Sequence, residues 1–248
     1  INENMYQEAI NNYLEQHGYS TIRLKAVLFD MDGVLFNSMP YHAEAWHKTM
    51  KEFGFELSKE EAYLHEGRTG AATINIVSQR ERGYDATEDE IQRIYQAKSD
   101  EFNRYPEAER MPGAWEVIQK IKAAGLTPMI VTGSGQGSLL DRLNQNFPNT
   151  FNKELMVTAY DVKYGKPNPE PYLMALQKGG FKPNEAIVVE NAPLGVQAGV
   201  AAGIFTLAVN TGPMPDEVLL NEGANLLFSS MPHFNEQWEE LYNALRQG

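Results

Sequence analysis

The chain has no cysteine, which excludes disulfides, thiolate zinc sites and a cysteine nucleophile together. Positive charge is scarce as well: 21 Lys and Arg against 33 Asp and Glu leave a formal net charge of −12. A nucleic-acid-binding face has no electrostatic footprint here, and no such partner is expected. An acidic protein that binds an anion must supply local positive charge, from a metal or a few placed cations. No apolar run approaches the ~18 residues of a membrane-spanning helix. The opening INENMYQEAINNYLEQHGY has neither the basic start nor the apolar middle of a secretory leader. The expectation is a cytoplasmic monomer with no membrane partner.

What is present is an ordinary globular balance, 42% hydrophobic and 22% charged. Four apolar runs show no alternation with polar residues: KAVLF from Lys25, TPMIVT from Thr127, AIVVE from Ala186 and IFTLAV from Ile204. Such runs are strands covered on both faces, as in parallel sheets. Between them lie helical patterns with terminal signals, GAWEVIQKIKAAG, SLLDRLNQN, EPYLMALQKGG and PLGVQAGVAAG. The alternation predicts an α/β fold, a doubly wound parallel sheet with short right-handed crossovers. One stretch does not join it. AEAWHKTMKEFG, AATINIVSQRERG and TEDEIQRIYQAKSDEFNRY are helical in period with no strand signal beside them. An all-helical cap is therefore expected over 38–110, inserted into a core of residues 24–37 and 111–248, with prolines near both crossings. Tyr6, Ile10, Tyr13 and Leu14 at helical spacing predict a further amphipathic helix within residues 1–23, ending near Gly18.

Polar clusters follow the first three runs, and a fourth lies in a loop between them. Ligands in open α/β sheets bind at the carboxyl ends of strands, so this placement is informative. In VLFDMDGVLFNS, Asp30 leaves the strand directly and Asp32 follows two residues on, before the turn-permitting Gly33. Two carboxylates this close call for a cation or a shared proton. They suit a carboxylate nucleophile beside a carboxyl acid/base, although the pair alone reads more simply as an Asx turn or helix cap. VTGSGQGS places Thr132, Ser134 and glycines 133, 135 and 137 between strand and helix. That is a cradle of N–H and hydroxyl donors for an anion, or a plain turn. Its glycine spacing departs from the dinucleotide fingerprint, and no GxxxxGK[ST] exists in the chain. Lys166 stands between Gly165 and Pro167 in YGKPNPEPY, and Glu190 and Asn191 end a strand in VVENAPLG. Oxygen-only donors favour a hard cation such as Mg²⁺ over zinc.

Taken in order, FDMDGVLFNS, VTGS, YGKPNPEPY and VENAPLGV resemble the four motifs of the haloacid dehalogenase superfamily. The helical insertion after the first motif is similar to its β-phosphoglucomutase branch, and the likeness covers residues 24–230. The resemblance implies a Rossmann-like core with a helical cap. It implies Asp30 as nucleophile, taking the phosphoryl group as an aspartyl-phosphate, and Asp32 as acid and base. Thr132 and the Gly133 amide would hold the phosphoryl oxygens, with Ser134 assisting, and Lys166 would balance charge. Mg²⁺ would be held by Asp30, the carbonyl of Asp32 and Asn191, with Glu190 at or behind the metal. Phosphoryl transfer, which needs in-line positioning and charge neutralisation, agrees with this set.

Two departures set the expected substrate. Asn191 stands where the branch usually carries Asp. In the cap loop LHEGRTG, Glu66 replaces a basic residue of the mutases, and Arg68 adds a cation two residues later. Lys98, His42 and Trp46 match the branch; His42 reads equally as a hinge histidine and as a substrate contact, and Trp46 as core packing. A mutase must hold a bisphosphate, and a carboxylate at the cap end repels the second phosphate unless it holds a further Mg²⁺ or its water. The Glu-bearing cap is similar to a pyrophosphate-hydrolysing member of the branch. The expectation is a Mg²⁺-dependent phosphohydrolase of a small phosphate substrate, inorganic pyrophosphate first and sugar phosphates next, with β-phosphoglucomutase as the alternative. A catalytically dead binding module is disfavoured by retention of Asp30, Asp32, Lys166 and the Thr132 loop together.

Overall fold

A computed structural model describes residues 3–135 and 138–247; Gly137 of the glycine-rich loop lies outside them. The strands are β1 (Ala26–Phe29), β2 (Thr127–Val131), β3 (Met156–Val157), β4 (Ala186–Glu190), β5 (Phe205–Val209) and β6 (Leu226–Phe228). They form one parallel sheet in the order β3-β2-β1-β4-β5-β6. Every residue of β1, β4 and β5 is buried, which is why those runs carry no alternation. Phe29 pairs in register with Ile130 on one side and Val189 on the other. That register brings the residues leaving β1, β2 and β4 to one edge.

The helices are α1 (Glu3–His17), α2 (Met39–Glu52), α3 (Lys59–Leu64), α4 (Gly70–Arg82), α5 (Glu88–Asn103), α6 (Ala114–Ala123), α7 (Leu139–Asn146), α8 (Glu170–Gly179), α9 (Pro193–Ala201), α10 (Asp216–Leu220) and α11 (Met231–Gln247). Among the described residues none is long and apolar enough to cross a membrane. One face of the sheet packs Val27, Phe29, Ile130 and Val189 against residues of α1, α6, α7 and α11. The other packs Leu28, Met129, Val131 and Val188 against α8 and α9. Helices α2–α5 form the inserted helical cap around their own cluster of Met50, Phe55, Leu57, Ile74, Val77 and Ile94. Pro40 sits in the first turn of α2, where a missing N–H costs nothing, so this proline starts a helix. Thr69 caps α4 through the Ala72 N–H, and Thr87 with Glu90 forms a capping box on α5.

α1 buries Tyr6, Ile10, Tyr13 and Leu14, the four residues that marked it in the sequence. The Tyr13 hydroxyl donates to the Gly203 carbonyl at 2.7 Å, and its ring meets Phe205 edge-on. Tyr13→Ala is expected to cost about 3–5 kcal/mol, the range for a buried aromatic, as read by urea unfolding. A loss below about 1 kcal/mol would show α1 to be peripheral to the core.

Candidate active site

Asp30 follows β1 with its N–H donated to Val189, and only 3% of the residue is exposed. The chain then turns at once. Gly33 has φ +83°, and the N–H groups of Leu35 and Phe36 return to the Met31 carbonyl. The turn holds Asp32 where its Oδ1 accepts from the Ser38 hydroxyl and from His42 Nε2 at 3.0 Å. Burial would push Asp32 up, but His42, Ser38 and the more distant Arg142 hold it well below the usual carboxylate range. On its other side the His42 ring meets Lys98 Nζ at 2.7 Å. An ammonium only donates, so Nδ1 is bare and the proton sits on Nε2. Burial and Lys98 lower His42, and burial brings Lys98 down to about 8. The ring also stacks on Phe102 with centroids 4.1 Å apart.

Thr132 follows β2 and is buried, its Oγ1 accepting the Ser134 N–H at 3.1 Å. Lys166 is 2% exposed, and its bond to Pro167 is cis. Its ammonium reaches Asp30 Oδ1 at 3.0 Å, the Val131 carbonyl at 2.8 Å and Glu190 Oε1 at 2.6 Å. Tyr172 donates to the same Glu190 oxygen. One cation therefore screens two buried carboxylates. Burial and Glu190 raise Asp30, with Lys166 opposing, while Asp30 and Glu190 raise Lys166 against burial.

The cap enters the site through its loop 65–69. Gly67, at φ +94°, brings its carbonyl against Gly133 so closely that a Cβ at Gly133 would meet it at 2.7 Å. Glu66 is buried, and its two oxygens accept from Asn191 Nδ2 at 3.0 and 3.2 Å. The two departures noted in the sequence are thus one contact. An aspartate at 191 would set carboxylate against carboxylate; the amide instead donates. Burial, then Asp30 and Glu190, raise Glu66.

The structure brings the sequence-predicted residues together. A cavity of about 70 Å³ is walled by Asp30, Asp32, Thr132, Gly133 and Ser134 from the core and by His42, Glu66, Arg68 and Lys98 from the cap. Lys166, Glu190 and Asn191 lie behind that wall. Ser38 and Tyr172 were missed as site residues although both stand inside the quoted motifs; nothing in the sequence says that their hydroxyls turn inward. Tyr95 and His65 also line the cavity and carried no motif signal.

For a metal, the informative atoms are Glu190 Oε2 and Asn191 Oδ1, both buried without a hydrogen-bond partner. Carboxylate and amide oxygens beside Asp30 fit a hard cation. Among the described residues no group of three or more His, Cys, Asp or Glu is arranged as a metal site, so the fit rests on mixed oxygen donors rather than on a carboxylate or imidazole cluster.

A parallel sheet with a helical cap, and a buried aspartate pair at the strand ends beside a lysine, define a class. Residues 27–209 match the haloacid dehalogenase-like hydrolases, and the chain belongs to that family as an enzyme of its phosphoryl-transferring kind. Hexitol phosphatase A of Escherichia coli is 31% identical over 192 residues, 76% of this chain and 84% of the relative. A phosphorylated carbohydrates phosphatase of Thermotoga maritima is 28% identical over 229 residues, 90% of this chain and 99% of its own. Among solved structures, a Bacteroides vulgatus protein provisionally named a β-phosphoglucomutase is 75% identical, with a TM-score of 0.97, covering 99% of this chain and 100% of that one.

Proposed function

We propose that this enzyme is a Mg²⁺-dependent phosphohydrolase working through an aspartyl-phosphate on Asp30, with inorganic pyrophosphate as its favoured substrate and sugar phosphates next. Asp30 attacks phosphorus, forming the acyl-phosphate bond as the bond to the departing oxygen breaks. Asp32 gives a proton to the departing oxygen; water then attacks the phosphoryl group, returning a proton to Asp32 as the bond to Asp30 breaks and phosphate leaves, with His42 and Ser38 orienting the Asp32 carboxyl. Thr132, Ser134 and the Gly133 N–H hold the phosphoryl oxygens, and Lys166 screens Asp30 from them. Mg²⁺ would be held by Asp30, the Asp32 carbonyl and Asn191, with Glu190 at or behind it, and would supply charge neutralisation between carboxylate and phosphate. The cap shuts by seating Glu66 on Asn191, which excludes water during the attack on phosphorus.

The observation that carries the substrate reading is Glu66, a buried carboxylate at the cap end of a cavity of only about 70 Å³. Pockets for larger organic ligands run to roughly 300–1,000 Å³, and a carboxylate there repels a second phosphate unless it holds a further Mg²⁺ or its water, a role that fits a small pyrophosphate better than a bisphosphorylated sugar. The names of two relatives, a hexitol phosphatase and a phosphorylated carbohydrates phosphatase, support sugar phosphates as the next substrates. The mutase reading is favoured by the name of the 75% identical structure. A phosphate-release panel with Mg²⁺ tests the choice, using pyrophosphate, hexose and hexitol phosphates and both anomers of glucose 1-phosphate. Fastest release from pyrophosphate supports the proposal; isomerisation of β-glucose 1-phosphate faster than any release overturns it. Asp32→Asn is expected to lower turnover on the order of 10²–10⁴-fold, the usual worth of a general acid/base. A kcat within tenfold of the parent would remove Asp32 from the proton transfers.

A further inference from the structure

On the cap wall of the cavity runs a chain of side chains that the mechanism leaves unused. Arg80 of α4 donates from Nη1 to Glu61 Oε2 at 2.6 Å, and His65 Nε2 meets the same oxygen at 2.9 Å. Arg68 Nε donates to His65 Nδ1 at 3.1 Å. His65 and Arg68 both line the cavity. The chain fixes the tautomer of His65. A carboxylate accepts and an arginine Nε only donates. Nε2 therefore carries the proton toward Glu61, and Nδ1 is bare toward Arg68. Burial raises the Glu61 carboxyl, but the hydrogen bonds from His65 and Arg80 bring it below its ordinary value, which keeps it an acceptor.

Arg68 differs from the cap arginines around it. Arg80, Arg82, Arg93 and Arg104 each sit on a carboxylate. Arg68 is half-buried, its pKa is lowered by burial alone, and its recorded partner is the neutral imidazole. It is a cation at the site wall that no carboxylate pairs with among the described residues. An arginine side chain loses much rotamer freedom when it is ordered. Anchoring Nε in advance fixes the guanidinium plane and leaves the other N–H groups for a bidentate anion.

We propose that Glu61 and His65 are positioning residues that hold Arg68 preorganised for the phosphate that departs when Asp30 is phosphorylated. This rests on the phosphohydrolase reading above. The imidazole does not touch the substrate: it acts through Arg68, and Glu61 acts through the imidazole.

The test is a double-variant cycle in the whole enzyme, run on the substrate that the parent turns over fastest. His65→Ala is expected to raise KM about tenfold, the worth of one well-placed hydrogen bond, with kcat changed less than about threefold. In an Arg68→Ala background the same substitution should add nothing, because the group it positions is gone. His65→Asn keeps an acceptor near Nδ1 and should recover most of the affinity; His65→Gln keeps only the link to Glu61 and should not. Those two polar variants carry the test if His65→Ala does not fold. Effects that multiply in the double variant, or equal KM values for His65→Asn and His65→Gln, overturn the proposal. A parent enzyme that releases phosphate fastest from a sugar phosphate, whose departing group is an alcohol, overturns the departing phosphate assigned to Arg68 together with the pyrophosphate reading, whereas multiplying effects on pyrophosphate overturn the positioning role alone.

Discussion

Asp30→Asn should leave a folded protein with no measurable turnover of any phosphate ester or anhydride. Asparagine keeps the shape of the side chain and still offers an oxygen to Lys166, so the contacts at 3.0 Å to Asp30 and 2.6 Å to Glu190 need not be rebuilt. What disappears is the charge that attacks phosphorus. Loss of a nucleophile with the rest of the site intact costs on the order of 10⁴-fold or more. The charge balance gives the result a second face. Lys166 stands against two buried carboxylates, and burial together with Glu190 already raises the Asp30 carboxyl. Neutralising Asp30 leaves a matched Lys166–Glu190 pair, so the thermal midpoint should hold or rise. Phosphate release and intact mass after incubation with substrate read the two halves separately. Parent-like activity, or a phosphorylated Asp30→Asn chain, would remove the aspartyl-phosphate from the mechanism; a large fall in midpoint would show the aspartate to be structural.

The parts of this molecule legible in its sequence are those where a residue's chemistry and its local setting coincide. β1, β4 and β5 announce themselves because both faces of the sheet are covered, and α1 because Tyr6, Ile10, Tyr13 and Leu14 fall on one stripe. β3 has two residues and β6 three, too few to show a period, and α10 and α3 are one or two turns long. α11 has a good apolar stripe and was not singled out. The site's core wall was legible because each of its residues leaves a strand. The cap wall was only half so. Glu66 and Asn191 stood out as separate departures, yet their contact crosses 125 residues of chain and no local pattern encodes it. His65 beside Glu66 gave no signal, since a lone histidine acquires a role only from the neighbours that the fold supplies.

The second large effect is expected at Glu66. It is buried, with both oxygens on Asn191 Nδ2, and its loop lies so close to the core that a Cβ at Gly133 would meet the Gly67 carbonyl. A lysine there would turn a second donor on the Asn191 amide N–H, and a charge brought into a closed site is worth several kcal/mol, against about 0–1 kcal/mol for an exposed pair. Glu66→Lys should therefore lower pyrophosphate release on the order of 10²-fold or more, since each 1.4 kcal/mol is about tenfold. It should raise release from hexose phosphates, whose distal oxygens then find a cation. Glu66→Gln separates charge from contact: it can still accept from Asn191, so the cap seats, and any loss it shows belongs to the carboxylate's charge. The mutase reading ranks the parent enzyme the other way, with β-glucose 1-phosphate and glucose 6-phosphate interconverting faster than phosphate leaves any substrate. Isomerisation of that kind, together with unchanged pyrophosphate release in Glu66→Lys, would make Glu66 a cap-seating residue and end the case for pyrophosphate.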